Sequence, residues 1–507
     1  MLARVNSYGL GGIDGYAVSV EIDINNGLPG IEIVGLPDTA TKESKERVRS
    51  ALKNSGFRLS PKRVTVNLAP ADTRKEGSAF DLPIALGMLL ATEQLRPSDT
   101  EGTMFVGELS LNGSLNKVNG VLPVLLAAKA DGLRRAVIPA ANAEEASFVS
   151  GIEVYAFGDL RSVTDFLSAS ASSPVPVRDP SEVVRGRAGG EDLKYVKGQY
   201  AARRALEIAA AGGHNILMIG PPGGGKTMLA KCLPSILPDM TAEEMLETTK
   251  IHSVAGLLGS DGIVCRRPFR SPHHTASRIA LTGGGASARP GEISLAHNGV
   301  LFLDELPEYP RSTLEILRQP VEDGRITISR AARTVDYPAR FMLVASMNPC
   351  PCGNYGSTVA ECTCTPSQIA RYISRLSGPL LDRIDMHIEV GNVTYDELSS
   401  REDAEDSASV KARVDDARTV QRARFGESGV HCNAQMSSAD MKNFCATDAE
   451  SEKLLRSAFM RLGLSARAYG RVLKVARTIA DLDHSERICK KHVAEAVQYR
   501  SLDRSLR

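Results

Sequence analysis

Alternating apolar and polar positions mark the first third of the chain. Val18, Val20, Ile22 and Ile24 are separated by polar residues, and this period of two predicts a half-buried β-strand. Further strands are predicted at 31–34, 63–68, 104–111 and 135–139, and helices at 38–54, 81–94 and 121–130. This mixture of strands and helices predicts an α/β unit over residues 1–167.

Two changes in this pattern divide the chain. Residues 168–190 are rich in serine, proline and glycine without periodicity, which is typical of a linker. Residues 191–390 return to apolar strands and helix-forming runs, and residues 391–507 have helical periodicity throughout. Because 507 residues are too many for one hydrophobic core, we expect an α/β multidomain protein.

Composition narrows the class of protein. A net charge of +1 argues against a chain that coats nucleic acid over its whole surface, but it allows a local basic patch. The sequence has no run of about 18 apolar residues and no secretory signal at its N-terminus. Four of the nine cysteines lie between residues 350 and 364, and in a chain with no export signal this clustering favours a metal site or reduced thiols over disulfides. We therefore expect a cytoplasmic protein without a membrane span.

A glycine-rich turn between an apolar run at 216–219 and a helix-forming run fits the pattern G-x-x-x-x-G-K-[ST]. Its residues are Gly220, Pro221, Pro222, Gly223, Gly224, Gly225, Lys226 and Thr227. Glycines let backbone N–H groups surround phosphate, and the helix N-terminus that follows favours negative charge. We expect Lys226 to reach the β- and γ-phosphates of a nucleoside triphosphate and the Thr227 hydroxyl to hold Mg²⁺.

Polar residues also follow two later apolar runs. Asp304 and Glu305 come directly after the run at 300–303, at a strand end where open α/β sheets bind ligands. Asp304 is expected to bind Mg²⁺ through water, and Glu305 to orient and polarise the attacking water. Asn348, beyond the run at 341–345, is a candidate for positioning that water, although asparagine before proline is also ordinary turn chemistry.

Four cysteines are clustered as two C-x-C pairs separated by nine residues: Cys350, Cys352, Cys362 and Cys364. Four thiolates can complete a tetrahedral structural Zn²⁺ site. The pairs are closer than the usual C-x₂₋₄-C spacing, and the alternative is a loop of reduced free thiols. The adjacent His273 and His274 are poor co-ligands, and we interpret them as loop or pore residues.

The first unit resembles the Lon-protease-like fold, also called the ribosomal S5 domain 2-type fold, through residues 75–83 and 120–129. A Lon-type protease needs a serine nucleophile at the start of a helix and a lysine in the second of these segments. Asp81 occupies the place of that serine, residues 121–126 contain no lysine, and Ser78 has no base to activate it. We expect a scaffold or binding platform without a protease dyad.

The motifs of the whole chain resemble one family. The segments 220–227, 300–305, 346–348 and 377–385, preceded by the Lon-like unit, are similar to those of the YifB/ComM family of magnesium-chelatase-like AAA+ proteins. The resemblance covers nearly the whole chain. It implies an N-terminal Lon-protease-like α+β domain at 1–167, an AAA+ P-loop α/β core at 191–390 and a C-terminal helical lid domain at 391–507.

The resemblance assigns roles within the nucleotide site. Lys226, Thr227, Asp304 and Glu305 correspond to the Walker A and Walker B residues, and Asn348 corresponds to sensor 1. The implied cofactors are ATP and Mg²⁺, with a structural Zn²⁺ as a further candidate. The segment that resembles the lining of the adenine pocket contains Val196, Gly198 and Gln199.

The resemblance also assigns roles to two arginines. Arg383 corresponds to an arginine finger that reaches the γ-phosphate bound by a neighbouring subunit. Arg467 corresponds to the sensor 2 arginine, and Arg471, one helical turn later on the same face, is the alternative. An arginine supplied in trans implies a ring, and the resemblance implies a homo-hexamer when nucleotide is bound.

The family's polymer substrate is expected to pass through the ring pore. Two segments are candidates to face it: a glycine-rich insert at 283–291 with Arg289, and a predicted hairpin at 325–333 with Arg330 and Arg333 near its tip. Arginines at a tip suit contact with phosphate, and the alternative is a solvated turn.

The resemblance implies an ATP-hydrolysing motor, acting on single-stranded or branched DNA as a helicase or branch-migration factor in recombination or transformation. Two alternatives stay open. One is a chelatase-like motor that remodels a protein partner or supports metal insertion. The other is a nucleotide-controlled regulatory binding module, against which the hydrolytic residues argue.

Overall fold

The first unit is built on a seven-stranded sheet. The computed structural model describes residues 2–59, 61–168, 171–183, 191–285, 288–330, 333–357, 360–399, 404–426 and 428–504. The strands of this unit are β1 Leu2–Gly11, β2 Asp14–Asn25, β3 Gly30–Val34, β4 Arg63–Ala69, β5 Thr103–Phe105, β6 Glu108–Leu109, β7 Leu115–Asn116, β8 Arg135–Pro139 and β9 Glu153–Phe157. Its helices are α1 Thr39–Asn54, α2 Asp81–Ala91, α3 Pro97–Thr100, α4 Val121–Ala130, α5 Ala143–Ala146 and α6 Leu160–Leu167.

The alternation at residues 18–24 forms the predicted half-buried strand. Val18, Val20 and Ile22 on β2 are buried, and the sheet order is β3-β4-β2-β1-β5-β8-β9. Helix α2 is buried along its whole length. It packs so closely on β2 that a Cβ at Gly87 would stand 2.5 Å from Ile22 Cγ1. The prediction of one strand over 104–111 is wrong. The chain forms β5 and β6 instead, since Gly107 is bonded to the start of α2 through Leu82 N–H, 3.0 Å from its carbonyl oxygen.

Asp81 at the start of α2 has a structural role. Its carboxylate accepts hydrogen bonds from the Arg47 guanidinium at 2.7 and 3.0 Å and from Leu109 N–H at 3.1 Å. Burial raises the pKa of Asp81, although Arg47 opposes this shift. The Ser78 hydroxyl donates to Glu108, and the Lys75 ammonium donates to backbone carbonyls, including that of Thr73 at 2.8 Å. Ser78 and Lys75 are therefore engaged with other partners.

Residues 171–183, which fall in the predicted linker, lie against the first unit. Val175 N–H donates to Val154 O at 2.7 Å, and Arg178 N–H donates to Ser147 O at 2.8 Å. A short helix, α7 Pro180–Val183, ends this described stretch. The remaining linker residues 169–170 and 184–190 lie outside the described residues.

The second unit contains a five-stranded parallel sheet of order β11-β14-β17-β10-β18. Its strands are β10 Ile216–Ile219, β11 Phe269–Arg270, β12 Gly283–Gly284, β13 Arg289–Pro290, β14 Val300–Leu303, β15 Arg325–Arg330, β16 Arg333–Pro338, β17 Met342–Met347 and β18 Met386–Glu389. Its helices are α8 Tyr200–Gly212, α9 Lys226–Ile236, α10 Ala242–Ala255, α11 Arg278–Thr282, α12 Glu292–Leu295, α13 Arg311–Ile316, α14 Arg318–Asp323, α15 Pro366–Ile373 and α16 Gly378–Leu381.

The regular elements described in the third unit are helices, as its periodicity predicts. Its helices are α17 Tyr395–Ser399, α18 Ser407–Phe425, α19 Ser438–Phe444, α20 Ala449–Leu462, α21 Ala466–Leu482 and α22 Lys490–Gln498. Apolar residues of α18 and α21 share one core with those of α8, α9 and β10. The helical unit is thus packed directly on the second unit.

The first unit also packs on the second. The buried Glu145 accepts a hydrogen bond from Leu122 N–H at 2.8 Å and another from the Ser253 hydroxyl of α10. The turn between β1 and β2 lies against β16, where Gly12 leaves no room for a Cβ beside Val335. A cavity of about 560 Å³ lies at this junction and is lined from both units.

A buried ion pair ties the third unit to the amino edge of the parallel sheet. Asp385, directly before β18, pairs with Arg471 of α21 and lies 3.6 Å from His214 Nδ1. Burial alone would raise the pKa of Asp385, but Arg471 and His214 hold it well below its usual range. Asp385 also accepts a hydrogen bond from Asn215 N–H at 2.9 Å.

Arg471→Ala should destabilise the protein by about 3 kcal/mol, because it leaves a buried carboxylate without its charged partner. Urea denaturation followed by circular dichroism at pH 7 measures this loss. Since the folded pKa of Asp385 is depressed, the contribution of the pair is present above the unfolded pKa of about 3.9 and is lost as the pH falls below it. The difference between variant and wild type should therefore shrink toward pH 3.

Arg467→Ala is the matched control, because Arg467 lies one turn away on the same helix with an exposed side chain. It should change the stability by no more than about 0.5 kcal/mol. Equal losses for the two variants would show that the Asp385 pair is not what ties α21 to the sheet.

Candidate nucleotide site

The candidate site lies where β10, β14 and β17 end. These strands are buried along their whole length, and parallel pairing brings their carboxyl ends to one edge. The segments that follow them are the glycine-rich loop, the pair Asp304-Glu305, and Asn348. All three predicted motifs are therefore neighbours, at the edge where open α/β sheets bind their ligands.

The glycine-rich loop needs glycine for two physical reasons. Gly223 and Gly225 have φ of 79° and 85°, in the left-handed region that favours glycine. A Cβ at Gly220 would collide with the carbonyl oxygen of Val390. Helix α9 begins at Lys226 directly after this loop, so its first N–H groups and positive dipole end face the position where an anion binds.

Lys226 and Asn348 meet across the site. The Lys226 ammonium donates to Asn348 Oδ1 at 3.1 Å and to the carbonyl oxygens of Gly220 and Pro221 at 2.6 and 2.8 Å. Burial lowers the pKa of Lys226, while Asp304 and Glu305 oppose this shift. The charged lysine is thus held inside the loop, at the place where a triphosphate would take over its hydrogen bonds.

Asp304 is fixed by three donors. The Thr227 hydroxyl donates to its Oδ2 at 2.9 Å, and the Ser346 hydroxyl and Glu305 N–H, the latter at 3.1 Å, donate to Oδ1. Hydroxyl and carboxylate oxygens are the ligands that Mg²⁺ prefers, so Thr227 and Asp304 fit the ion expected there. Ser346 belongs to one of the predicted segments, but the sequence analysis assigns it no role. Its hydrogen bond to Asp304 helps to hold that carboxylate in place.

Glu305 has a partner that the sequence did not predict. Its Oε2 lies 3.4 Å from Nδ1 of His274, and its side chain is 52% exposed. Glu305 adopts φ of 54°, which turns the chain sharply after β14. His274, which the sequence predicts to be a loop or pore residue, lies in the loop after β11, at the carboxyl edge of the sheet.

The segment predicted to line the adenine pocket lies beside the loop. Gln199 Nε2 donates to Gly224 O at 3.1 Å and to Gly391 O at 2.6 Å. Val196 is buried, and Gly198 lies so close to Glu397 that a Cβ would stand 2.8 Å from its Oε1. This segment therefore joins the phosphate loop to the loop that follows β18.

The four clustered cysteines come together as a group. Their sulfur atoms all lie within 4.8 Å of one another, with distances of 3.4, 3.6 and 3.7 Å among Cys350, Cys352 and Cys362. A tetrahedral Zn²⁺ with Zn–S bonds of about 2.3 Å requires sulfur separations of about 3.8 Å. Backbone N–H groups of Asn354 and Thr363 lower the pKa of the Cys352 thiol to about 5. The donor set and its spacing fit zinc.

This cluster borders the phosphate loop. The turn at Gly353 lies against Pro222, and a Cβ at Gly353 would stand 2.5 Å from Pro222 Cδ. Cys350 is buried and follows β17 by three residues. The cysteine loop therefore packs directly on the predicted nucleotide-binding loop.

Arg383 lies at the opposite edge of the sheet. It precedes β18, its carbonyl oxygen accepts from the Asn215 side chain at 3.2 Å, and its guanidinium donates to Glu322 at 2.7 Å. A four-residue strand of about 13 Å separates this edge from the phosphate loop. Arg471 is held at the same edge by Asp385. Neither arginine joins Lys226 within one chain.

The candidate pore segments form two hairpins. The insert is the β12–β13 hairpin, with Arg289 exposed, and its residues 286–287 lie outside the described residues. Arg330 and Arg333 are paired in backbone register at the tip of β15–β16, and their side chains also lie outside the described part. The Tyr337 hydroxyl donates to Ala288 O at 2.8 Å and joins the two hairpins.

Comparison with protein families gives the class of the protein. The family models that match are "Magnesium chelatase, subunit ChlI" at residues 192–398, "Subunit ChlI of Mg-chelatase" at 20–142 and "Magnesium chelatase, subunit ChlI C-terminal" at 404–500. The three matches cover each unit of the fold. The chain thus carries magnesium-chelatase-like domains of the AAA+ type around its parallel sheet.

Relatives that match over the full length narrow this class. The chain is 46% identical to the "Uncharacterized protein YifB" of Escherichia coli over 98% of this chain and 96% of the relative. It is also 46% identical to the "Competence protein ComM" of Haemophilus influenzae, over 100% and 98%. A rice "Magnesium-chelatase subunit ChlI, chloroplastic" is 28% identical over 36% of this chain and 44% of the relative. The chain belongs to the YifB/ComM family of magnesium-chelatase-like proteins.

Within the described ranges, no helix has both the length and the apolar character that crossing a membrane requires.

Proposed function

We propose that the protein is an ATP-hydrolysing ring motor that acts on DNA as a helicase or branch-migration factor. The observation that carries this proposal is the convergence of Lys226, Thr227, Asp304 and Asn348 at one sheet edge. A protein that only bound nucleotide would not need a carboxylate and an amide placed to handle water. The proposed setting is cytoplasmic, in keeping with nine free cysteines.

Each residue has a distinct task in this proposal. Lys226 neutralises charge on the β- and γ-phosphates, and Thr227 and Asp304 hold Mg²⁺, which supplies charge neutralisation when bound. Glu305 accepts the proton of the attacking water, and Asn348 positions that water. The segment with Val196, Gly198 and Gln199 lies beside the base of the nucleotide.

The position of the arginines supports the proposed homo-hexameric ring. Arg383 is too far from its own Lys226 to serve that site, so we propose that it reaches the nucleotide of the next subunit. Arg467, exposed near the start of α21, acts with it as the sensor 2 residue. The helical third unit is the lid domain in this scheme, and the first unit is a Lon-like scaffold.

The two hairpins support a polymer substrate. Arg289 is exposed on one hairpin, and Arg330 and Arg333 lie at the tip of the other, which suits contact with the phosphates of single-stranded or branched DNA. A relative named a competence protein favours DNA in recombination or transformation. The second candidate is a motor that remodels a protein partner or supports metal insertion, which the match to a magnesium-chelatase subunit favours.

A structural zinc completes the proposal. Bound by Cys350, Cys352, Cys362 and Cys364, the ion would fix the loop that packs on Pro222 of the phosphate loop. It has no catalytic task, because four protein thiolates leave no open position for water or substrate.

Glu305→Gln should retain ATP binding and lower hydrolysis by about 100-fold, because the amide cannot accept the proton of water. Turnover is measured with no polymer, with single-stranded DNA and with a branched junction, and the wild type should be stimulated by DNA. Glu308→Gln, an exposed acid three residues later, is the control and should stay near wild type. Wild-type protein that neither responds to DNA nor retains it at low salt would refute the DNA motor.

Mixing Arg383→Ala protein with Lys226→Ala protein should recover part of the activity that each variant lacks alone. In a mixed ring, the intact Lys226 of one variant faces the intact Arg383 of the other. ATPase assays over a series of mixing ratios measure this recovery, and circular dichroism checks that Arg383→Ala still folds after losing its pair with Glu322. If no ratio exceeds the sum of the separate variants, Arg383 does not act in trans.

Protein purified without added zinc should contain about one zinc per chain, because the four thiols match a tetrahedral site. Plasma mass spectrometry measures the metal, and a thiol reagent counts the reactive cysteines before and after chelation. Cys352→Ser should lose most of the metal, whereas Cys489→Ser, outside the cluster, should keep it. Zinc well below one per chain together with four freely reactive thiols would contradict the site.

A further inference from the structure

Residues 39–63 of the first unit carry a concentrated positive charge. They contain eight lysines and arginines against two glutamates, whereas the whole chain has a net charge of +1. The segment runs from the start of α1 to the first residue of β4. Seven of its eight cations have exposed side chains, and the eighth, Arg47, is bonded to the buried Asp81. The excess charge therefore lies on the surface.

Four of these cations form a basic stripe along one face of α1. They follow one another at intervals of three or four residues, which places them on the same side of a helix: Lys42, Lys45, Arg49 and Lys53. The other face of the helix is buried through Val48, Ala51 and Leu52. From Lys42 to Lys53 the helix rises about 16 Å, which is the axial length of about five base pairs of duplex DNA.

The protein does not neutralise the basic stripe. No ion pair joins one of its four side chains to a carboxylate within the residues that the structure describes. Arg49 lies four residues from both Lys45 and Lys53, and like charges at this spacing destabilise a helix. Lys42 is near the amino end of α1, where the helix dipole disfavours a cation. A bound polyanion would offset these repulsions.

Further cations extend the stripe at the carboxyl end of α1. Arg161 of α6 lies beside this end, because a Cβ at Gly56 would stand 3.7 Å from its Nη1. Arg58 and Lys62 follow in the chain with exposed side chains. The basic surface is thus built from two helices and the segment that leads into β4.

The amino end of the stripe lies beside the insert hairpin. Ala40, in the first turn of α1, lines the same cavity as Arg289 of that hairpin. Arg289 is one of the residues proposed to contact DNA. A nucleic acid held at the hairpin would therefore meet the stripe if it continued along the first unit.

The side chains favour a duplex over a single strand. Sites that bind single strands without sequence preference combine cations with aromatic rings on which the bases stack. The one aromatic residue of the segment, Phe57, packs against the core of the first unit. Cations without exposed aromatic rings suit the phosphate backbone, whose charge along the axis is denser in a duplex.

We propose that the basic stripe, together with Arg58, Lys62 and Arg161, binds the phosphate backbone of double-stranded DNA. This surface is separate from the hairpins, and phosphate contacts carry no direct sequence information. It holds a duplex arm of branched DNA on the first unit. The inference rests on the proposed action on DNA and gives the first unit a binding task within it.

The test combines Arg49→Gln with Lys53→Gln in the full chain. Fluorescence anisotropy measures the binding of a labelled blunt duplex over a series of salt concentrations. At about 0.1 M salt the affinity should fall about tenfold, and the slope of log K against log salt should become shallower by about 2, because each lost phosphate contact removes about 0.9 from it.

Glu46→Gln should change the affinity in the opposite direction. Glu46 is exposed on the same face of α1, so removing its charge should strengthen duplex binding about threefold by lowering the repulsion of phosphate. A purely structural role of α1 would not produce a gain. Unchanged or weaker binding by Glu46→Gln would count against the proposal.

Lys129→Gln combined with Arg134→Gln is the matched control. Both residues are exposed in the same unit and the charge lost is equal, but α4, which contains Lys129, packs on a different core from that of α1. This variant should bind duplex as wild type does. Equal losses in the two double variants, or wild-type affinity and slope in the Arg49 and Lys53 variant, would overturn the proposal.

Two further outcomes separate this inference from the proposed function. Stripe-dependent duplex binding by a wild-type protein whose ATP hydrolysis does not respond to DNA refutes the motor alone. DNA-stimulated hydrolysis in a protein whose duplex binding ignores the stripe refutes only the stripe. Binding to phosphatidylserine vesicles without binding to duplex at low salt would assign the surface to a membrane and overturn the proposal.

Discussion

The parallel order of the five-stranded sheet is the constraint on which the site depends. In a parallel sheet all carboxyl ends lie at one edge, so the residues after Ile219, Leu303 and Met347 must be neighbours however far apart they are in the sequence. Lys226 reaches Asn348 across 122 positions for this reason. The burial of β10, β14 and β17 fixes their pairing. This pairing alone brings the polar residues that follow the strands close together.

The same constraint separates the two halves of the proposed hydrolytic site. Residues that precede the strands must lie at the amino edge, where Asn215 donates hydrogen bonds both to Asp385 and to the carbonyl oxygen of Arg383. An arginine at that edge cannot serve the phosphate loop of its own chain without crossing the sheet. The proposed ring would place the amino-edge surface of one subunit beside the carboxyl edge of the next. The distance between Arg383 and Lys226 within one chain thus supports the proposed assembly of subunits.

Local signals in the sequence predict which short segments supply the candidate site. The phosphate-loop motif, the acidic pair after a buried strand and the clustered cysteines each lie within a short segment, and the structure brings each group together. The partners that the sequence could not predict are distant: His274 is 31 positions from Glu305, Glu322 is 61 from Arg383, and His214 is 171 from Asp385. Nothing in the neighbouring residues encodes such contacts, because they are set by how loops pack at the sheet edges. The strand predicted at 104–111 failed for the same reason, since Gly107 is bonded to a helix 25 positions earlier.

Contacts with the first unit and with each other fix the position of the two hairpins. The turn after β1 lies on Val335 of one hairpin, Tyr337 bonds that hairpin to Ala288 of the insert, and the insert continues through α11 to the loop at Glu305. Each link is a packed contact or a hydrogen bond, and close packing transmits displacement because it leaves little space to absorb it. Under the proposed function, a polymer at the hairpins would therefore act on the first unit and on the carboxyl edge of the sheet together. The first unit is thus placed to influence the candidate nucleotide site through packing, which fits the structural roles that Asp81, Ser78 and Lys75 have there.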